Sequence, residues 1–258
     1  MFEDVRELYR YRAMLSHLVK IDLRARYKGS VLGFLWTFIN PLMLIIVYSV
    51  VFTMFLKVNI PNYTIYLTAG LLPWNMFQNT LVGSSGSILR NSHLVSKIYF
   101  PRGVLPLSVV TSNVINYLYS MVIMIFAILI FHVHISSSVV LFPVILAIQV
   151  SLMLGCALIL SSINVYFRDV EHIVTVVMMA WFYATPIVYS LDAVPESIRR
   201  WFYINPMTPI DIAYVDVLYR GAWPNLGMLL VAIIWSVCVM ILGWIVFRRL
   251  SRGFGDVV

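Results

Sequence analysis

The sequence predicts an all-α integral membrane protein with six transmembrane helices, and three observations lead there. Hydrophobic residues make up 61% of the 258 residues and charged residues only 11%, against roughly a quarter charged in an ordinary soluble domain. Five stretches, 29–56, 58–89, 103–167, 173–191 and 221–247, contain no Asp, Glu, Lys or Arg, and a helix needs about 20 such residues to cross a ~30 Å hydrocarbon layer. None of them alternates with the period of a membrane β-strand. Backbone groups in lipid must therefore be satisfied within helices.

Taken in chain order, residues 4–28 carry Leu8, Tyr11, Leu15, Leu18 and Val19 at helical spacing with Arg and Lys between them. That pattern predicts an amphipathic helix in the membrane interface, giving a first unit over 1–30 and a membrane domain over 31–258. The spans fall near 31–56, 63–82, 104–131, 139–163, 173–191 and 226–247. The charge-free run 103–167 is 65 residues long, too long for one crossing, and divides at the polar turn 132–138, where His132 and His134 read as loop residues rather than metal ligands. Loop 83–103 leaves the second span at Gly83-Ser-Ser-Gly86, is helix-compatible over 88–99 and stops at Pro101. Loop 164–172 is a second short surface, in which Arg168 and Asp169 serve either a partner or a local ion pair. In segment 192–225, Pro195 and Pro206 are positioned to start two short helices, with Arg199, Arg200, Trp201 and Tyr203 near the membrane surface. That segment reads either as an interfacial aromatic belt or as re-entrant helices over an exit.

Charge sets the orientation. Segment 1–28, loops 83–103 and 164–172 and the tail hold 14 of the 18 Lys and Arg residues, leaving Lys57, Arg199, Arg200 and Arg220 opposite. The positive-inside rule puts both termini in the cytoplasm, so the net charge of +7 is mainly a topology signal rather than a nucleic-acid footprint. No removable signal peptide is evident, and Cys156 and Cys238 read as packing residues. Pro41, Pro73, Pro106, Pro143 and Pro186 imply kinks or half-spans. Gly29 and Gly33 have the spacing of a close helix contact. Asn113, Asn116, Tyr117 and Ser120 form a polar stripe on the third span, explained equally by interhelical bonding and by contact with a substrate. No acid or base lies within the spans, which argues against ion-coupled transport.

Six motifs then occur in order. They are Arg26-Tyr-Lys-Gly-Ser-Val-Leu-Gly-Phe-Leu-Trp36 leading to Asn40-Pro41, Gly70-Leu-Leu-Pro-Trp74 with Phe77, and Lys97-Ile-Tyr-Phe-Pro-Arg102 with Leu105-Pro106-Leu107. They continue with Asn164-Val-Tyr-Phe-Arg-Asp169, Thr185-Pro-Ile-Val-Tyr189 with Val194-Pro195, and Tyr203-Ile-Asn-Pro206. With them the chain resembles, over essentially its whole length, the membrane-spanning permease of type-2 ABC exporters for cell-surface polysaccharide, the O-antigen, capsule and teichoic acid exporters. The resemblance implies a homodimer in the cytoplasmic (inner) membrane with two copies of a separate ABC ATPase, which binds the ATP and Mg, so that the permease itself needs no cofactor and is not an enzyme. The chain has no G-x-x-x-x-G-K-[ST] phosphate loop of its own.

The same resemblance implies roles for particular residues. Loop 83–103 would be the coupling helix on the ATPase, through Leu94, Lys97, Tyr99, Phe100 and Arg102, joined by Arg168 and Asp169. Segment 192–225 would be the periplasmic gate, with Arg199, Arg200, Trp201 and Tyr203. Arg24, Arg26 and Lys28 would receive the pyrophosphate of an undecaprenyl-linked chain, a plain surface anchor being the alternative for this segment. Trp36, Trp74, Phe77, Trp181 and Tyr183 would line the path, where sugar C–H faces stack on rings; for each of them, packing in the core or against lipid is the alternative. A permease for small hydrophobic compounds is a second reading. A membrane-embedded transferase is a third, but it needs paired carboxylates, and Asp211 and Asp216, five residues apart, fall on different helical faces.

Overall fold

The computed structural model describes residues 6–7, 9–26, 28–97, 99–132 and 136–254. Leu8, Tyr27, Ile98 and His134, which figure in the patterns above, lie outside the described residues. Among the described residues every regular element is helical. Four helical segments, Gly33–Phe55, Val104–Ile130, Ser137–Tyr166 and Leu226–Gly253, are long and apolar enough to cross a membrane.

Helix α1 (Arg12–Ala25) precedes α2 (Trp36–Val50), which continues through a one-turn π-helix, Val51–Phe55. Helix α3 (Tyr63–Ser85) is the axis of the molecule: 17 of its 23 residues are buried, and α2 together with the later helices Val104–Ile130, Phe142–Tyr166 and Val170–Tyr183 packs around it. At 1.5 Å per residue it reaches roughly 34 Å, the length of a span. The second expected span is thus a central helix carrying Thr, Asn and Gln, rather than an apolar one facing lipid.

Beyond α3 the chain forms two short helices, α4 (Ser87–Arg90) and α5 (Ser92–Lys97), instead of one helix over 88–99. Asn91 causes the break: its side-chain Nδ2 donates to the Ser87 carbonyl at 2.8 Å, a local bond that competes with continued helix. Gly83 does not release the chain, because α3 runs on to Ser85. Long helices α6 (Val104–Ile130) and α7 (Phe142–Tyr166) follow. Pro106 and Pro143 lie in their first turns, where a missing N–H costs nothing; only Pro41 and Pro73 are interior. Helix α8 (Val170–Tyr183) has 14 residues and ends short of the expected 191, with Pro186 just beyond it disfavouring further helix.

The short α9 (Glu196–Arg199) starts directly after Pro195. Helix α10 (Met207–Val215) starts directly after Pro206 and continues as a π-turn, Asp216–Arg220. The last helix, α11 (Leu226–Leu250), begins at Asn225, whose Oδ1 accepts from the backbone N–H groups of Gly227 and Met228, an N-cap.

The close helix contact is not at Gly29 and Gly33. These residues have φ of +80° and +47° with open space where a Cβ would stand; they turn the chain between α1 and α2, a left-handed geometry that favours glycine. The close approach joins α7 to α11. A Cβ on Gly155 would lie 2.6 Å from the Val239 backbone, and one on Gly243 would run into the carbonyl of Gly155. A satellite cluster of Ile88, Val95, Phe100, Val104, Leu105, Val165 and Phe254 seals the end of the bundle where loop 83–103 lies, and Leu15 and Leu18 of α1 pack on it. The apolar face of α1 is therefore partly covered by protein.

Candidate translocation cleft

A cavity of about 920 Å³ opens between α2, α3, α6 and α8. Its aromatic lining comes from Trp36 and Tyr48, from Trp74 on α3, Tyr117 on α6, and Phe182 and Tyr183 at the end of α8. These rings hold one another: Tyr48 stacks on Phe182 at 5.7 Å between centroids, and Trp74 meets Phe182 edge-on at 5.8 Å. The Trp36 indole N–H donates to Ser30 Oγ at 2.9 Å and that of Trp74 to Gln78 Oε1 at 3.0 Å.

Between the rings lie six carboxamides: Asn40, Asn75, Gln78, Asn79, Asn113 and Asn116. Positions 75, 78 and 79 share one face of α3, and 113 and 116 share one face of α6, by the three-and-four spacing of a helix. All four residues of the α6 stripe, Asn113, Asn116, Tyr117 and Ser120, border the cleft. Ser120 also donates across to the Thr37 carbonyl at 3.4 Å. Asn75, Gln78 and Asn79 went unnoticed in the sequence, although their spacing on an otherwise apolar span was a readable signal.

Arg26 stands at one edge of the cleft. Its guanidinium bridges Asp22, at 3.0 Å, and Asn113 Oδ1, also at 3.0 Å. Arg24 and Lys28 border a neighbouring hollow of about 780 Å³ that shares Asn116 with the main cleft. The three basic residues thus lie beside two adjoining openings, Arg26 at the cleft and Arg24 and Lys28 at the hollow.

Of the five predicted lining aromatics, Trp36, Trp74 and Tyr183 border the cleft. Phe77 and Trp181 do not. Phe77 is fully buried behind Trp74 and meets Trp181 edge-on at 5.3 Å. The Trp181 indole donates to Asn205 Oδ1 at 2.7 Å. Asn205 in turn donates to the Ala184 carbonyl and to Thr185 Oγ1, so this pair ties segment 192–225 to the end of α8. Tyr63 and Tyr66 of α3 pin the same turn by donating to the carbonyls of Val188 and Tyr189.

In loop 83–103, Lys97 and Tyr99 are exposed, Leu94 is half-buried and Phe100 is buried in the satellite cluster. Arg102 donates to the Ser251 carbonyl and lies over the Phe254 ring, so it clamps the C-terminal segment. Arg168 and Asp169 are exposed in the turn between α7 and α8. The contact joining this turn to the loop is Arg90, which donates to the Gly83 carbonyl and pairs with Glu171 at 2.8 Å. In segment 192–225, Arg200 and Trp201 are exposed and Tyr203 is half-buried. Arg199 donates to the carbonyls of Asp192 and Val194, each at 3.1 Å.

Asp211 is an acid fully buried away from the cleft, and neither carboxylate oxygen has a hydrogen-bond partner among the described residues. Oδ1 lies only 3.0 Å from where a Cβ on Gly70 would stand. The first motif glycine of α3 thus makes room for a buried carboxylate.

A family model described as ABC-2 type transporter matches residues 14–219, which takes in the cleft, loop 83–103 and α10. The chain belongs to the ABC-2 type transporter family. This confirms the family resemblance and makes the chain a multi-pass membrane protein of a transport family that works with an ABC ATPase. Among related ABC-2 proteins, an "O-antigen export system permease protein RfbA" of Myxococcus xanthus is 37% identical over 258 residues, covering 99% of each chain. A protein of the same name from Klebsiella pneumoniae is 32% identical over 246 residues, covering 95% of each.

Proposed function

We propose that this chain is the permease of an ATP-driven exporter that moves lipid-linked, O-antigen-type polysaccharide across the cytoplasmic membrane. The observation that carries the proposal is the cleft, whose rings alternate with carboxamides. Rings stack on sugar C–H faces and carboxamides exchange hydrogen bonds with hydroxyls, since each is both donor and acceptor. The names of its full-length relatives support the same substrate class.

In this reading the chain crosses the membrane six times with both termini in the cytoplasm. Helix α3 and the shorter α8, extended by its following turn, add two crossings to the four apolar ones. Two copies form the path between them, with the cleft of each facing the other, and two ATPase subunits bind ATP and Mg. Loop 83–103 and residues Arg168 and Asp169 receive the ATPase, and the Arg90–Glu171 pair carries its movement into α8, whose far end holds Phe182 and Tyr183. Arg24, Arg26 and Lys28 draw in the pyrophosphate of the undecaprenyl-linked chain, Arg24 and Lys28 each contributing roughly 1 kcal/mol and Arg26, held by Asp22 and Asn113, less. Residues 192–225 close the far side, with Arg199, Arg200, Trp201 and Tyr203 at the exit.

Deleting the chain from its host and restoring it tests the proposal. Surface polysaccharide should vanish while lipid-linked polymer accumulates inside, and the restored chain should reverse both. Unchanged surface polysaccharide together with lost efflux of a hydrophobic compound would favour the small-molecule reading.

A further inference from the structure

We infer that the polymer this cleft passes is electrically neutral along its repeat, an inference that rests on the export reading and names its substrate class. Among the described residues that line the cleft, Arg26 alone is charged. Its guanidinium is already engaged by Asp22 and Asn113. The remaining polar lining is six carboxamides and the six hydroxyls of Ser, Thr and Tyr residues, all uncharged.

That lining discriminates by charge. A sugar hydroxyl entering the cleft exchanges water for a carboxamide, keeping both a donor and an acceptor bond. The side chains of Asn40, Asn75 and Asn79 make no hydrogen bond within the chain among the described residues, so their groups are available for this exchange. A uronate or phosphate gives up a much larger hydration energy, and only an opposite charge at close range restores it. The cleft offers none beyond the occupied Arg26. A facing second copy would add none from its corresponding helices, because 29–56 and 173–191 contain no Lys or Arg.

A polyanion would meet this penalty at every repeat, whereas the linker phosphates meet it once per molecule. Those phosphates also have a different surface to use, since Arg24 and Lys28 border the adjoining hollow rather than the main cleft. The layout separates a basic approach for one anionic end from an uncharged wall for the many units behind it.

The test uses the native host. The permease is deleted, the polysaccharide that disappears from the surface is identified, and that polymer is purified from the parent strain. After mild acid removes the lipid end, it is passed over an anion exchanger and assayed for uronic acid, acidic sugar and phosphate. The inference expects unretained polymer with no anionic group in the repeat. A polymer lost on deletion that carries an anionic group in every repeat would overturn the inference and leave the export reading standing. If deletion removes no surface polysaccharide, the export reading falls and this inference with it.

Discussion

The Arg90–Glu171 pair offers a clean separation of coupling from folding. The two side chains meet at 2.8 Å but are 51% and 39% exposed, and pairs of that kind contribute roughly 0.2–1 kcal/mol to stability. Glu171→Arg should therefore leave the protein in the membrane at its normal level, because a loss of about 1 kcal/mol does not unfold a bundle held by α3 and the Gly155–Gly243 contact. The pair nevertheless joins the loop after α3 to the first turn of α8, the helix whose other end supplies two rings to the cleft. Export rate per permease, measured as newly surfaced polysaccharide after induction, should fall severalfold in Glu171→Arg and in Arg90→Glu, while ATP hydrolysis by the complex continues. The double variant Arg90→Glu/Glu171→Arg should recover much of the loss, since it restores opposite charges. The recovery will be incomplete, because Glu at 90 cannot donate to the Gly83 carbonyl as Arg90 does. Normal export in both single variants, or a double variant no better than the worse single one, would refute the pair as a mechanical link.

Three further perturbations address other parts of the account. Gly155→Ala should lower the thermal midpoint in detergent by the equivalent of roughly 1–3 kcal/mol, because the added methyl meets the Val239 backbone rather than a movable side chain; an unchanged midpoint would count against the contact. Asp211→Asn should leave that midpoint unchanged or higher, since it removes an ionisable group from a buried, unpartnered site, and a clear drop would mean that Asp211 has a partner not present in this conformation. Replacing Arg24, Arg26 and Lys28 together by Gln should slow export at unchanged protein level and weaken its dependence on ionic strength, whereas an unaltered rate would make this segment a plain anchor.

Much of the fold was legible because hydrocarbon forbids charge. The uncharged runs located α2, α6, α7 and α11, and the prolines at 195 and 206 marked the starts of α9 and α10. Legibility failed where tertiary packing decides. Gly29 and Gly33 have the spacing of a helix contact, but their positive φ values belong to a turn. The real contact joins Gly155 to Gly243, residues too far apart in the chain for any local pattern to reveal. The burial of Asp211 was not legible because it depends on the open face of Gly70. The cleft was half visible. Trp36, Trp74 and Tyr183 could be picked out as aromatics, but no sequence rule separates them from Phe77 and Trp181, which pack behind them. The carboxamides of α3 were obscured because an uncharged span reads as featureless even when three of its polar residues share a face.

The central claim is that glycan moves along this cleft, and photo-crosslinking during export tests it most directly. A photoreactive side chain is placed at Asn79 or Tyr183, which border the cleft, and, as a control, at Val237, exposed on α11. Cells are irradiated while polymer is being exported, and the permease is purified and probed for attached polysaccharide. The account predicts a glycan-bearing, high-mass permease species at positions 79 and 183 that depends on active ATPase, with none at 237. Absence of adduct at both cleft positions in exporting cells, or equal adduct at 237, would contradict it.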